Sequence, residues 1–275
     1  VDALIKKLRI AKKINKLPKI LVIVHLAGNP CNLSKINLLA KKYKFKIIED
    51  ASHALGTKYK RSYIGNCRYS DAAVFSFHPV KTITGGEGGA VVCKKKEISQ
   101  KIEMLREHGI TKNQNKFKYN KNLPWYFEQQ YLGFNYRMSD INAALINSQI
   151  DHIKLFVKKR NHISNIYQKK LEKKNVKFQK IENESISSRH LFIIRVKKKI
   201  HKKLFEYLRG KKIYVQIHYI PIYKHPYYKE NFQFIAKDFP NSEKYYSEAI
   251  SIPVFYSLSD KKQTQIINLI NSFFK

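Results

Sequence analysis

An α/β fold built on a mostly parallel sheet, followed by a smaller α/β unit, is the class this 275-residue chain predicts. Three observations carry that expectation. Short apolar runs alternate with segments of helical periodicity. The runs are continuously apolar, as strands buried on both faces require. The length suits one large domain with a satellite, since domains commonly run to roughly 100–200 residues.

The elements follow in order. LIKKLRIAKKINK at 3–15 repeats apolar residues at helical spacing, and Leu17-Pro18 closes it before KILVIVH at 19–25, a short strand. LSKINLLAKKYK at 33–44 is a second amphipathic helix, and FKIIED at 45–50 a strand ending on two acids. DAAVFSFH at 71–78 and GGAVVCKKK at 88–96 supply two more strands. Ser139-Asp140 is an N-cap signal that opens one long helical stretch over 139–173, carrying Ile141, Leu145, Ile150, Ile153 and Val157. Beyond it LFIIRV (191–196), a helix near 201–209 ending at Gly210, YVQIHY (214–219) and a closing helix in SDKKQTQIINLINSFF form the smaller unit. The expected division is a large domain at 1–155 and a small one at 156–275.

Composition narrows the function classes. A net charge of +34 suggests nucleic acid or an anionic surface, but the lysines are spread over nearly every segment among many Ile and Asn, which points to a compositional bias instead. Nucleic-acid binding is therefore not expected. No apolar stretch approaches the roughly 20 residues of a membrane helix. Cys31, Cys67 and Cys93 lie far apart without a CxxC pair, so a disulfide framework is not expected and a reducing, cytoplasmic setting is. His25, His53 and His78 lack acidic or thiol partners at helical or turn spacing, so no metal site is expected.

Three stretches sit at or just past strand ends: EDASHALG at 49–56, SFHPVK at 76–81 and GFNYRMSD at 133–140. In an open α/β sheet, that edge is where ligands gather. Pro79 halts a strand so that Lys81 emerges on a turn, where a lowered pKa would make its neutral amine a nucleophile toward a carbonyl. Ser76 offers a hydroxyl to a phosphate oxygen, or is a satisfied strand hydroxyl. Asp50 either holds a pyridinium nitrogen protonated or caps the next turn. GGEGG at 85–89 matches neither GxGxxG nor GxxxxGK[ST] and is expected to be a tight turn between strands.

Taken together, Asp50-x-x-His53, Ser76-Phe77-His78-Pro79-x-Lys81, Gly86-Glu87-Gly88-Gly89 and Gly133-Phe134-Asn135-Tyr136-Arg137-Met138-Ser139-Asp140 resemble the DegT/DnrJ/EryC1/StrS family of nucleotide-sugar aminotransferases. The resemblance implies the aspartate-aminotransferase fold (fold type I) and pyridoxal 5′-phosphate as cofactor. Lys81 would hold that cofactor covalently and act as acid and base. Asp50 would pair with its ring nitrogen, His53 sit by the ring hydroxyl, and Ser76 hold the phosphate. Asn135 would reach the cofactor phosphate of a second subunit, implying a homodimer with composite sites. Arg137, His218 and Tyr219 match positions near the nucleotide sugar.

Within the family, PWYFEQQYLGFNYRMSD (124–140) and VQIHYIPIYKHPYY (215–228) look most like the pseudaminic-acid pathway branch, which aminates C4 of a UDP-4-keto-6-deoxy-N-acetylhexosamine, with L-glutamate as expected donor. A C3 aminotransferase of the same family, and an inactive fragment or basic binding protein, are the competing expectations; a dehydratase relative would carry histidine in place of Lys81. Family members also carry about a hundred residues ahead of the point where this chain starts, including a phosphate loop at a helix N-terminus, so an N-terminally truncated chain is expected.

Overall fold

The computed structural model describes residues 1–119 and 123–275. In its first part, helix α1 (Asp2–Lys13) precedes strand β1 (Ile20–Val24), α2 (Leu33–Tyr43) and β2 (Lys46–Asp50). Two short strands, β3 (Lys58–Tyr59) and β4 (Ser62–Tyr63), lead to β5 (Ala72–Ser76) and β6 (Gly89–Cys93). Helix α3 (Lys96–Arg106), strands β7 (Ile110–Thr111) and β8 (Glu128–Gln129), α4 (Asp140–Ile150) and α5 (Ile153–Lys170) follow. The remainder comprises β9 (Lys177–Phe178), β10 (Ser185–Ile186), β11 (Phe192–Arg195), α6 (Lys198–Gly210), α7 (Pro226–Asn231), α8 (Pro240–Tyr246), β12 (Ala249–Ile252) and α9 (Asp260–Phe273).

The four strands read from the sequence form one sheet in the order β1-β2-β5-β6, its first two pairings parallel and the last antiparallel. Register fixes where the site lies. Val24 pairs with Asp50, Asp50 with Val74, and Ser76 with Gly89, so the carboxyl ends of three parallel strands and the start of β6 share one edge. Leu8, Ile36, Ile47, Ala73, Phe75 and Ile83 are buried in the core beside this sheet.

A second core surrounds the antiparallel sheet β12-β11-β9, with Ile163, Tyr167, Ile194, Leu204, Leu208, Ile250 and Ile266 at its centre. Helix α5 serves both cores: Phe156 packs on the first, while Ile163 and Tyr167 are buried in the second. Strand β10 pairs back onto β3, so the chain of the second part also reaches across to the first.

Two expectations need correction. The long helix at 139–173 is two helices, divided at Asp151 and His152. No Gly or Pro marks that break. Its physical setting is tertiary: the Gln149 amide donates to the carbonyls of Thr84 and Leu145 (2.7 and 2.6 Å), fastening the end of α4 to the turn after Lys81, while Val157 and Ile153 of α5 press on Gly56. YVQIHY makes only a single bridge, Gln216 with Ser251, and is otherwise irregular. The apolar residue Val215 is buried in the second core, but Tyr214 and Tyr219 are exposed, and the ladder stops.

Candidate active site

The site is built on the carboxyl edge of the sheet. Asp50 ends β2 and accepts the Ser52 N–H (3.0 Å) on one carboxylate oxygen, the local turn cap that its position allows. Ser76 ends β5, half-buried, its hydroxyl receiving the His78 N–H at 3.4 Å. Pro79 stops the strand, and the Lys81 N–H closes a turn onto the His78 carbonyl (2.9 Å), which brings the lysine back over the edge. GGEGG then runs into β6. Gly85 approaches α4 so closely that a Cβ there would stand 2.9 Å from the Asn142 carbonyl oxygen, and the Asn142 side chain donates to the carbonyls of Gly85 and Glu87. The glycines thus let the Lys81 turn pack against the N-terminus of α4.

His53 lies behind these residues, 7% exposed. Its Nδ1 accepts the Ala27 N–H (3.3 Å), and its Nε2 faces the Tyr219 hydroxyl (3.4 Å). His218 bonds through Nδ1 to the Ser251 hydroxyl (2.8 Å), and its carbonyl accepts the Tyr245 hydroxyl (3.1 Å). Electrostatics bind the group together. Burial lowers the Lys81 pKa, with Asp50 pulling it back up. Burial, then the Lys81 charge, pushes His53 down to about 4 against the opposing pull of Asp50. Burial and Lys81 lower His218, while burial and Asp50 raise Tyr219. An amine biased toward its neutral, nucleophilic form stands beside one carboxylate and a ring of neutral imidazoles.

Asn135 and Arg137 lie apart from this group. Both are exposed, on a segment whose backbone is fastened along α3 by Phe134 N–H to Leu105 O and Tyr136 N–H to Arg106 O. Among the described residues no hydrogen bond joins either to Lys81, Asp50 or His53.

Sequence reasoning missed several residues. Beneath β1 and β2, buried His25 donates through Nε2 to Glu49 (2.8 Å), whose second oxygen receives the Ser70 hydroxyl. The Cys31 N–H donates to His25 Nδ1 (3.1 Å). Behind His53 stands His190, ring centroids 4.3 Å apart, and Arg160 donates to the carbonyls of Arg189, His190 and Val254. His190, Arg160, His218 and Tyr219 share the wall of a cleft of about 480 Å³. Little local signals these partners, because apart from Cys31 beside His25 they are 21 or more residues apart; only the strand-final Glu49-Asp50 pair hinted that one acid faces inward. Among the described residues no group of three or more His, Cys, Asp or Glu is arranged to hold a metal, and no helix is long and apolar enough to cross a membrane.

A model of the DegT/DnrJ/EryC1/StrS aminotransferase family matches residues 1–271. The UDP-4-amino-4,6-dideoxy-N-acetyl-beta-L-altrosamine transaminase of Campylobacter jejuni subsp. jejuni serotype O:23/36 is 39% identical over 244 residues, covering 87% of this chain and 61% of that protein. Helicobacter pylori PseC, an aminotransferase involved in the biosynthesis of pseudoaminic acid, superimposes with a TM-score of 0.85 at 29% identity, over 98% of this chain and 70% of that one. The PLP form of the putative sugar aminotransferase Spr1654 from Streptococcus pneumoniae gives 0.82 at 25% identity, over 92% and 68%. This chain therefore spans only 61% of the length of the Campylobacter jejuni relative. Pyridoxal phosphate is the cofactor that the family and the PLP form indicate. The residues present fit it: a strand-final carboxylate, a half-buried lysine with lowered pKa, a hydroxyl at the next strand end and a neutral histidine stand around one edge.

Proposed function

The chain belongs to the DegT/DnrJ/EryC1/StrS aminotransferase family, and from that premise we propose that it is a sugar-nucleotide aminotransferase acting at C4 of a UDP-4-keto-6-deoxy-N-acetylhexosamine, with L-glutamate as amino donor. The observation that carries the reading is the 39% identity to a transaminase of that substrate class. When bound, the cofactor supplies an electron sink at the carbon bearing the amino group. The chain's own residues do the rest. Lys81 would hold the cofactor and, as its neutral amine, would move a proton; Asp50 would hold the ring nitrogen protonated, Ser76 would donate to the phosphate and His53 would stand by the ring hydroxyl. His218, Tyr219 and Arg137 orient the nucleotide sugar.

Asn135 completes the site of a second subunit in this reading, which makes the protein a homodimer. Its exposure, and that of Leu132, Phe134 and Tyr136 beside it, supports a covered face there. We assign residues 1–155 to the cofactor-binding domain and 156–275 to the smaller one, on the strength of the two separate cores. A cytoplasmic location accords with three free cysteines.

Spectroscopy on the purified chain tests the proposal. Added pyridoxal phosphate should give the visible band of covalently held cofactor, which L-glutamate bleaches with release of 2-oxoglutarate. Lys81→Ala should never show the band; a variant spectrum equal to the wild type overturns the role of Lys81, and a wild-type spectrum equal to free cofactor overturns the reading for this chain. With the keto sugar present, NMR of the product separates amination at C4 from amination at C3.

A further inference from the structure

Three segments converge on His53. The Ala27 N–H donates to its Nδ1, and the Tyr219 hydroxyl stands 3.4 Å from its Nε2. The Ser188 hydroxyl donates to the His53 carbonyl (2.8 Å). The His190 ring lies against the imidazole at 4.3 Å between centroids, tilted by 36°. Each clamp is itself held. The Ser188 N–H donates to the Thr57 hydroxyl (3.0 Å), which donates to the Gly28 carbonyl (2.9 Å). Gly28 has φ +83° and approaches so closely that a Cβ would stand 2.1 Å from the Ser188 hydroxyl. Arg160 fixes the His190 backbone by donating to its carbonyl at 3.2 Å. Ser188, Thr57 and Gly28 are buried, and His190 is only 6% exposed, its Nδ1 without a partner.

The consequence is a matter of proton counting. A neutral imidazole has one donor and one acceptor nitrogen. The Ala27 N–H needs the lone pair of Nδ1, so the proton resides on Nε2 and points at the Tyr219 oxygen. A hydroxyl that accepts there has its own hydrogen left to donate elsewhere, and Tyr219 is 55% exposed at the wall of the cleft. Lys81 and His218 oppose protonation of His53 and Asp50 favours it; burial adds to the first two, and the His190 ring packs against the imidazole.

We propose that Ser188 and His190 are positioning residues for His53, holding its ring as the Nε2–H tautomer so that Tyr219 accepts from it and turns its own hydrogen toward a carbonyl or carboxylate oxygen of a bound ligand. Only the identity of that ligand rests on the proposed function. The tautomer belongs to the chain alone and is measured without cofactor, so failure here and failure of the aminotransferase reading are separate results.

Long-range proton–nitrogen NMR of the full chain with nitrogen-15 histidine, His53 being assigned by His53→Gln, tests it. The wild type should give one neutral Nε2–H signal for His53 at pH 7. Ser188→Ala and His190→Ala should replace it with the averaged signal of two tautomers, and His190→Phe, which keeps a flat ring, should restore it. Tyr219→Phe should shift the Nε2 proton while leaving the tautomer unchanged. A wild-type His53 that is cationic or carries its proton on Nδ1 overturns the proposal, as do alanine variants indistinguishable from the wild type. Should the alanine variants fail to fold, the wild type and His190→Phe decide: loss of the Nε2–H signal in His190→Phe overturns the packing role of His190.

Discussion

At Lys81, one residue among 54 Lys and Arg stands out because of its surroundings. Its pKa is lowered by burial, and Asp50 pulls it back up. Removing that charge with Asp50→Asn should lower the Lys81 pKa further, moving the limb on which covalent cofactor binding rises with pH to lower pH; an unmoved limb would show that Asp50 does not reach it. The neighbouring histidines set the acid limit. His53 is pushed down to about 4 and His190 to about 2, from 6.5, chiefly by burial. Their stabilising effect is therefore complete above pH 6.5 and is lost as pH falls, each adding a slope of about 1.4 kcal/mol per pH unit while the unfolded chain takes up the proton. Urea unfolding between pH 6 and 4.5 should register these protons, with His218 adding to them through its own lowered pKa, and His190→Phe should reduce the uptake by one. Deeper down, Glu49→Ala leaves buried His25 and Ser70 without their acceptor and should cost about 3–5 kcal/mol in the same measurement.

Among the elements, the parallel strands and their amphipathic helices were legible because continuous apolar runs and helical spacing are local signals. The Ser139 cap was equally plain: its hydroxyl accepts the Asn142 N–H at 3.2 Å. Ser139→Ala should lower stability by about 1 kcal/mol, read as a reduced melting temperature with unchanged secondary structure. The division of the 139–173 stretch into α4 and α5 could not be read, since the contacts of Gln149 with Thr84 that accompany it join residues 65 positions apart. Nor could the fate of YVQIHY, whose β pattern is sound but whose sheet offers it only one bridge, at Ser251. The glycines were expected to form a tight turn between strands; they lie instead at the end of a longer connection from β5 into β6, as a bend whose reason is the close approach of Gly85 to α4, a tertiary fact.

For the whole molecule, the exposed apolar side chains are not scattered evenly. Leu132 is 89% exposed and Ile141 77%, on either side of Asn135, with Phe134 and Tyr136 between them. Large apolar side chains left this exposed so close together in sequence support a covered face there. Light scattering should find a dimer, and Leu132→Asp with Ile141→Asp should shift it to monomer and weaken cofactor retention, if Asn135 serves the second subunit's site. A monomeric wild type that still binds cofactor would refute the composite site.

By itself the sequence determined the four strands of the large sheet, the helices α1 and α2 that precede β1 and β2, and the residues at the sheet edge, because these are written in spacing: apolar period, a proline that stops a strand, acids at a strand end; α3 and the short strands it did not show. It also determined the family, through motifs whose order is preserved along nearly the whole chain. Tertiary structure decided what those residues meet. It set Glu49 against His25 and both His190 and Tyr219 against His53, and it left Asn135 on the surface. The reason is that burial and hydrogen-bond partnership are properties of neighbours in space, and here those neighbours lie 24 to 166 residues apart along the chain.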